Sequence, residues 1–117
     1  MPNSYITRSQ GNDFLIAEID TCKCFTSRGM YNEFEEAFSF PPSSNRGSID
    51  VLLDFMRDLG WQKIKNYQVI LTNLEKARKK NPAQLNEIIS ILEIIKEYWD
   101  GKKKNKKMEN NFIFNFE

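Results

Sequence analysis

Apolar positions along the chain fall into two kinds of pattern, short nearly continuous runs and longer stretches repeating at helical spacing. Phe14-Leu15-Ile16-Ala17-Glu18-Ile19-Asp20 is an apolar run with one acidic break, which predicts a mostly buried strand. Thr21–Thr26 is the turn that ends it. With Thr26 or Ser27 as N-cap, Met30, Phe34, Ala37 and Phe38 then recur at helical spacing, with Glu33, Glu35 and Glu36 assigned to the other side. This first helix is weakened early by Gly29. Phe40-Pro41-Pro42-Ser43-Ser44-Asn45-Arg46-Gly47 has the composition of an irregular loop. A second helix capped by Ser48 follows, with Ile49, Leu52, Leu53, Met56 and Leu59 on one broad apolar face and Gly60-Trp61 closing it. On its opposite stripe Asp50, Asp54 and Asp58 repeat at i, i+4 and i+8.

After a lysine-containing turn, Tyr67-Gln68-Val69-Ile70-Leu71-Thr72 reads as a second strand, of the nearly continuous apolar kind that suits a parallel sheet buried on both faces. A short helix is expected over Leu74–Lys80. Asn81-Pro82 supplies an N-cap and a proline at the first helical position. Leu85, Ile88, Ile89, Leu92, Ile95 and Trp99 then mark a helix over Pro82–Asp100, with Gly101 as its stop. A lysine-rich linker, Lys102–Lys107, leads to Phe112-Ile113-Phe114-Asn115-Phe116, a third strand. The order β-α-α-β-α-α-β, with helices joining each strand to the next, predicts an α/β fold: a three-stranded parallel sheet with packed helices. The 117 residues suffice for one domain and are too few for two comfortable cores. Residues 1–13 are polar and uneven, and are expected to form a loosely held extension or a short extra element that the fold does not need.

Charge and composition narrow the chemistry. Seventeen basic and sixteen acidic residues give a net charge of +1, so electrostatics must be argued from local patches and nothing global marks a nucleic-acid binder. There is no histidine, which removes the commonest general acid/base and metal ligand. No glycine-rich phosphate loop or cysteine-histidine pairing stands in its place, so the chain is not expected to be an enzyme and no catalytic residue is assigned. Cys22 and Cys24 are too close in sequence for an ordinary disulfide and too few for a zinc site, so they are read as reduced thiols, and no cofactor or metal is expected. Asp50 and Asp54 alone make a thin cation site. The first residues lack an apolar core of signal-peptide length, and no run approaches the ~20 apolar residues of a membrane span, so a soluble cytoplasmic protein is expected.

Spacing alone fits Asp50, Asp54 and Asp58 to a solvated helix edge, with Asp50 also favoured by the helix dipole. Trp61 and Trp99, at element ends beside apolar neighbours, read as core residues rather than interaction anchors. Lys102–Lys107 complements a helix C-terminus and keeps a linker soluble; an RNA- or anion-binding module built on this segment is the alternative function.

Several stretches in order resemble the barstar family of ribonuclease inhibitors. Phe40-Pro41, a loop, and Gly47-Ser48-Ile49-Asp50-Val51-Leu52-Leu53-Asp54-Phe55-Met56 stand where that family has a Phe-Pro or Leu-Pro pair, a loop and a helix beginning roughly G-x-N-L-D-A-L-x-D. Asp58-Leu59-Gly60-Trp61 is similar to the family's lead into its second strand, and Leu92–Trp99 to its last helix. The resemblance implies a barstar-like fold and a protein partner, a basic ribonuclease or toxin domain plugged by the loop and the start of the second helix. The partner-binding residues it implies are Ser44, Asn45, Gly47, Asp50, Leu53 and Asp54. Of these, Asp50 and Asp54 would meet cations that otherwise hold RNA phosphate, and Leu53 takes a position where an aromatic contact can occur. Asp58 stays with the solvated edge. The loop is one residue longer than the family pattern, and Ser43, Ser44 and Asn45 replace its usual aromatics. The family's glutamate on the last helix falls near Glu93, Ile94 or Glu97.

Overall fold

The structure is a computed structural model that describes residues 3–43, 46–59, 61, 62, 64, 66–104 and 111–116, of which 9, 102–104 and 111–116 are described by backbone alone. Its elements in chain order are β1 (Ser4–Ser9), β2 (Asn12–Asp20), a single 3-10 turn (Thr21–Lys23), α1 (Ser27–Phe38), α2 (Ile49–Met56), β3 (Asn66–Thr72), α3 (Leu74–Lys80), α4 (Pro82–Lys104) and β4 (Asn111–Phe116). The predicted α/β order is present, and β2, β3 and β4 form the predicted parallel trio, with Leu15 opposite Tyr67 and Tyr67 opposite Phe112.

A fourth strand adds to the expected three, so residues 1–13 supply a short extra element and not a loosely held extension. β1 pairs antiparallel with β2, from Ser4 opposite Ala17 to Ser9 opposite Asn12, and makes the sheet β1-β2-β3-β4. Gln10 and Gly11, both at positive φ, turn the hairpin, as a two-residue connection between twisted strands requires. The segment is further tied down where Asn3 accepts from the Glu18 N–H at 2.8 Å and donates from Nδ2 to the Glu33 carbonyl at 3.0 Å.

The helices cover one face of this sheet. Leu15, Ala17 and Ile19 of β2 and Tyr67, Val69 and Leu71 of β3 alternate along their strands, and all six join a buried cluster with residues of all four helices. Met30, Phe34, Ala37 and Phe38 of α1, Leu52 and Met56 of α2, Ala77 of α3, and Ile88, Leu92, Ile95 and Trp99 of α4 supply the helical side. On the opposite face of β3, Asn66, Gln68, Ile70 and Thr72 are only half-buried, so the expected burial on both faces does not hold. Trp99 is buried and Trp61 packs against the cluster, in line with their reading as core residues.

Three helix boundaries and faces differ from the pattern. α2 stops at Met56 rather than reaching Gly60: Arg57 and Asp58 form a turn, and Leu59 takes a left-handed backbone at φ 52 that carries its buried side chain back to the core. Asp58 therefore lies beyond α2, in the turn that follows it. At the other end of the chain, Gly101 does not stop α4, which runs on to Lys104. Glycine ends a helix only where the chain needs a left-handed residue, and among the described residues only Gly11 and Gly47 are glycines at positive φ. The lysines after Gly101 are good helix formers. Finally, Glu33 is not on the solvent side of α1 but is buried, and its Oε1 accepts from the Asp20 N–H at 2.9 Å.

Candidate functional site

α2 spans two turns, Ile49–Met56. Ser48 caps it, its Oγ accepting from the Val51 N–H at 3.5 Å, and Asp50 sits in the first turn, where its charge complements the helix dipole. Leu52 and Met56 are buried, and Ile49, Val51, Leu53 and Phe55 are half-buried against the core. Asp50 and Asp54 are thus the two residues of α2 that are exposed, four apart on one stripe, and neither has an ion-pair partner among the described residues. Each is free to meet a cation from outside. Their mutual repulsion, about 0.2–0.5 kcal/mol for an i, i+4 pair of like charges, is small and is relieved by such a cation.

The approach to this helix is anchored at both ends. At its start, Ser39 ends α1 in a left-handed conformation, and the Phe38 carbonyl accepts from Trp61 Nε1 at 2.9 Å and Gln62 Nε2 at 2.6 Å. Phe40 is held in an aromatic cluster, with ring centroids 5.5 Å from Tyr31, 5.0 Å from Phe55 and 6.1 Å from Trp61. At its end, Gly47 has φ 94, a region that L side chains rarely adopt. Arg46 pairs with Glu35 of α1, Nε to Oε2 at 2.8 Å and Nη2 to Oε1, and Arg28 Nη1 donates to the Arg46 carbonyl at 3.3 Å.

Of the six residues implied as partner-binding, Asp50 and Asp54 stand exposed together, Gly47 is half-buried just before the helix cap, and Leu53 presents only part of its side chain to solvent. Ser44 and Asn45 lie outside the described residues. On α4, Glu93, Ile94 and Glu97 are all exposed, so exposure does not single out one of them. Lys102–Lys104 continue the α4 backbone, and Lys106 and Lys107 lie outside the described residues. The sequence pattern gives Arg28, Glu35 and Arg46 no part in the site. The available signal was the seven-residue spacing of Arg28 and Glu35, which puts both on one stripe of α1, opposite a loop carrying a single arginine.

The family model described as Barstar (barnase inhibitor) matches residues 14–111, from the start of the β2 apolar run to the first residue of β4. The chain belongs to the barstar family. No curated protein and no solved structure matches it. The barstar match leaves β1 outside, so the antiparallel strand is an addition to the matched segment.

Cys22 and Cys24 are free thiols, and burial, reinforced by the negative charge of Glu33 and Asp20, pushes the Cys24 thiol up to about 12, well away from nucleophilic ionisation near neutral pH. Burial likewise pushes the Tyr67 phenol up to about 12. Among the described residues no cluster of three or more His, Cys, Asp or Glu side chains could hold a metal ion, and no helix is long and apolar enough to cross a membrane.

Proposed function

We propose that this barstar-family chain is a stoichiometric, non-covalent inhibitor of a basic ribonuclease or related toxin domain, acting in the cytoplasm as an immunity protein rather than as an enzyme. The observation that carries this reading is the exposed pair Asp50 and Asp54, the two exposed residues of α2, whose other residues are buried or half-buried. Two carboxylates four residues apart on a capped helix N-terminus offer a basic cleft the negative charge that its phosphate-binding cations await. The loop from Ser43 to Gly47, with Ser44 and Asn45 at its centre, enters alongside the helix and blocks access of RNA; Leu53 contributes an aliphatic edge where an aromatic contact can occur in the family.

Complementary charge steers encounter, so association slows as salt screens it, while loss of a buried anchor acts on dissociation. Truncating one partner of a desolvated interfacial ion pair costs about 2–5 kcal/mol, a range drawn partly from the barnase–barstar pair and so carried over from the family rather than derived from this chain. The test is stopped-flow association of the purified chain with barnase and with nuclease toxins encoded beside its gene, at low and high salt. Saturable binding that slows with salt, with Asp54→Ala dissociating at least tenfold faster, about 1.4 kcal/mol, supports the reading. Salt-independent association, or Asp54→Ala dissociating at the unsubstituted rate, contradicts it.

A further inference from the structure

Three charged residues around the loop stand apart from the acidic pair. Arg28 and Glu35, two turns apart on one stripe of α1, both reach the segment that leads into α2. Glu35 holds the Arg46 guanidinium through two parallel hydrogen bonds, the fork geometry that arginine and carboxylate share. Arg28 donates to the backbone carbonyl of the same Arg46, and its stem lies over Gly47: a Cβ built on Gly47 would come 2.9 Å from Arg28 Cδ and 3.4 Å from Nη1. Tyr31, on the same stripe of α1, is buried with its ring edge-on to Phe40. The end of the loop is therefore pinned by a side-chain pair, by a hydrogen bond from the Arg28 guanidinium to the Arg46 carbonyl and by a glycine that leaves room for the arginine.

The geometry points to a latch in which Arg28, Glu35 and Arg46 fix the Arg46–Gly47 segment on α1 in the free chain, so that the Ser48 cap and the Asp50–Asp54 edge are presented to the partner already formed. Arg28, Glu35 and Arg46 are positioning residues. They act through the backbone that carries the acidic pair, and the gain is preorganisation: the Arg46–Gly47 segment is fixed before the partner arrives, so less freedom is lost on binding. This role rests on the inhibitor reading above, whereas the latch itself is a property of the free chain.

Charge makes the latch separable from simple electrostatics. Arg46→Gln makes the chain more acidic and Glu35→Gln makes it less so, and against a basic nuclease charge alone moves association in opposite directions, faster for the first and slower for the second. A broken latch moves both the same way.

The experiment has two arms on the full chain. In the first, amide hydrogen exchange is followed at Val51 and Leu52, whose N–H groups bond to the Oγ and carbonyl of Ser48. Arg46→Gln and Glu35→Gln are each expected to speed exchange there roughly two- to fivefold, the scale of a partly exposed ion pair, with amides of β2 and β3 unchanged. The exchanged pair Arg46→Glu with Glu35→Arg is expected to restore the slow rate. In the second arm, association with barnase is expected to slow in both single variants. Unchanged exchange at Val51 and Leu52 in both variants overturns the latch. Opposite shifts in association, faster for Arg46→Gln and slower for Glu35→Gln, overturn its positioning role. If the unsubstituted chain binds no ribonuclease, the inhibitor reading fails while the exchange arm still decides the latch.

Discussion

Glu33 is the one carboxylate among the described residues that is buried, at 7 % exposure, and burial raises its carboxyl above the ordinary value of 4.5 against the opposing pull of the Asp20 N–H. The folded chain therefore holds this proton more tightly than the unfolded one. Its contribution to stability is complete below pH 4.5 and is lost as pH rises through the folded value. Glu33→Gln keeps an oxygen to accept from Asp20 and removes the titration. Urea denaturation across pH 3.5–7 should accordingly show the variant gaining stability relative to the unsubstituted chain as pH rises; parallel pH profiles would contradict the assignment. The burial of Glu33 was legible in position but not in type. It lies three residues after Met30 and four before Ala37, within the apolar stripe, and its charge argued for the wrong side because the Asp20 amide that satisfies it belongs to another element. Gly47 makes a second test. A side chain there must take a φ that L residues disfavour and displace the Arg28 stem, so Gly47→Ala should cost about 1–2 kcal/mol, read as a lower urea midpoint at unchanged m.

α1, α2 and α4 were visible as elements because their apolar residues recur at helical spacing and polar caps precede them: Thr26 Oγ1 accepts from the Gly29 N–H at 3.0 Å, and Asn81 Oδ1 from the Gln84 N–H at 3.1 Å. Their ends were less visible, since a boundary is set by where the chain must go next. α2 breaks at Met56 because Leu59 is needed in the core, a tertiary demand that no local signal announces. Gly101 carried the opposite error, a stop residue with nothing to stop. Because its backbone is helical and a Cβ there meets nothing within 4 Å, Gly101→Ala should stabilise the chain by about 1 kcal/mol, seen as a raised thermal midpoint. A left-handed cap at Gly101 would give the reverse, and a lowered midpoint would contradict the longer α4. That the extra element in residues 1–13 is a strand was not legible for a related reason: Tyr5 and Ile6 are exposed, and the pairing of β1 with β2 is held by the backbone ladder more than by an apolar pattern.

At the scale of the molecule, the parallel order of β2, β3 and β4 was legible because each pair is joined by two helices, too long a connection for a hairpin. One-sided cover was not, since a nearly continuous apolar strand reads the same whether its second face is buried or half-buried. That one-sidedness bears on function. With all four helices drawing on the same cluster, α2 has no second partner for its outer edge, and the charges left there are Asp50 and Asp54. The acidic stripe was legible from spacing, and its third aspartate, Asp58, falls in the turn beyond the helix end at Met56. What the spacing lacked was the bracing by Glu35, Arg46 and Arg28, because those contacts join residues 11 and 18 positions apart across a loop. The central claim is that this two-carboxylate edge blocks a nuclease. It is tested most directly by titrating the chain into a fixed amount of a basic ribonuclease that it binds, barnase or a neighbouring toxin, and measuring residual RNA cleavage. The account predicts a linear fall to an end point at one chain per enzyme, and recovery of cleavage with the Asp50→Ala, Asp54→Ala double variant at the same ratio. Full inhibition by the double variant would contradict it.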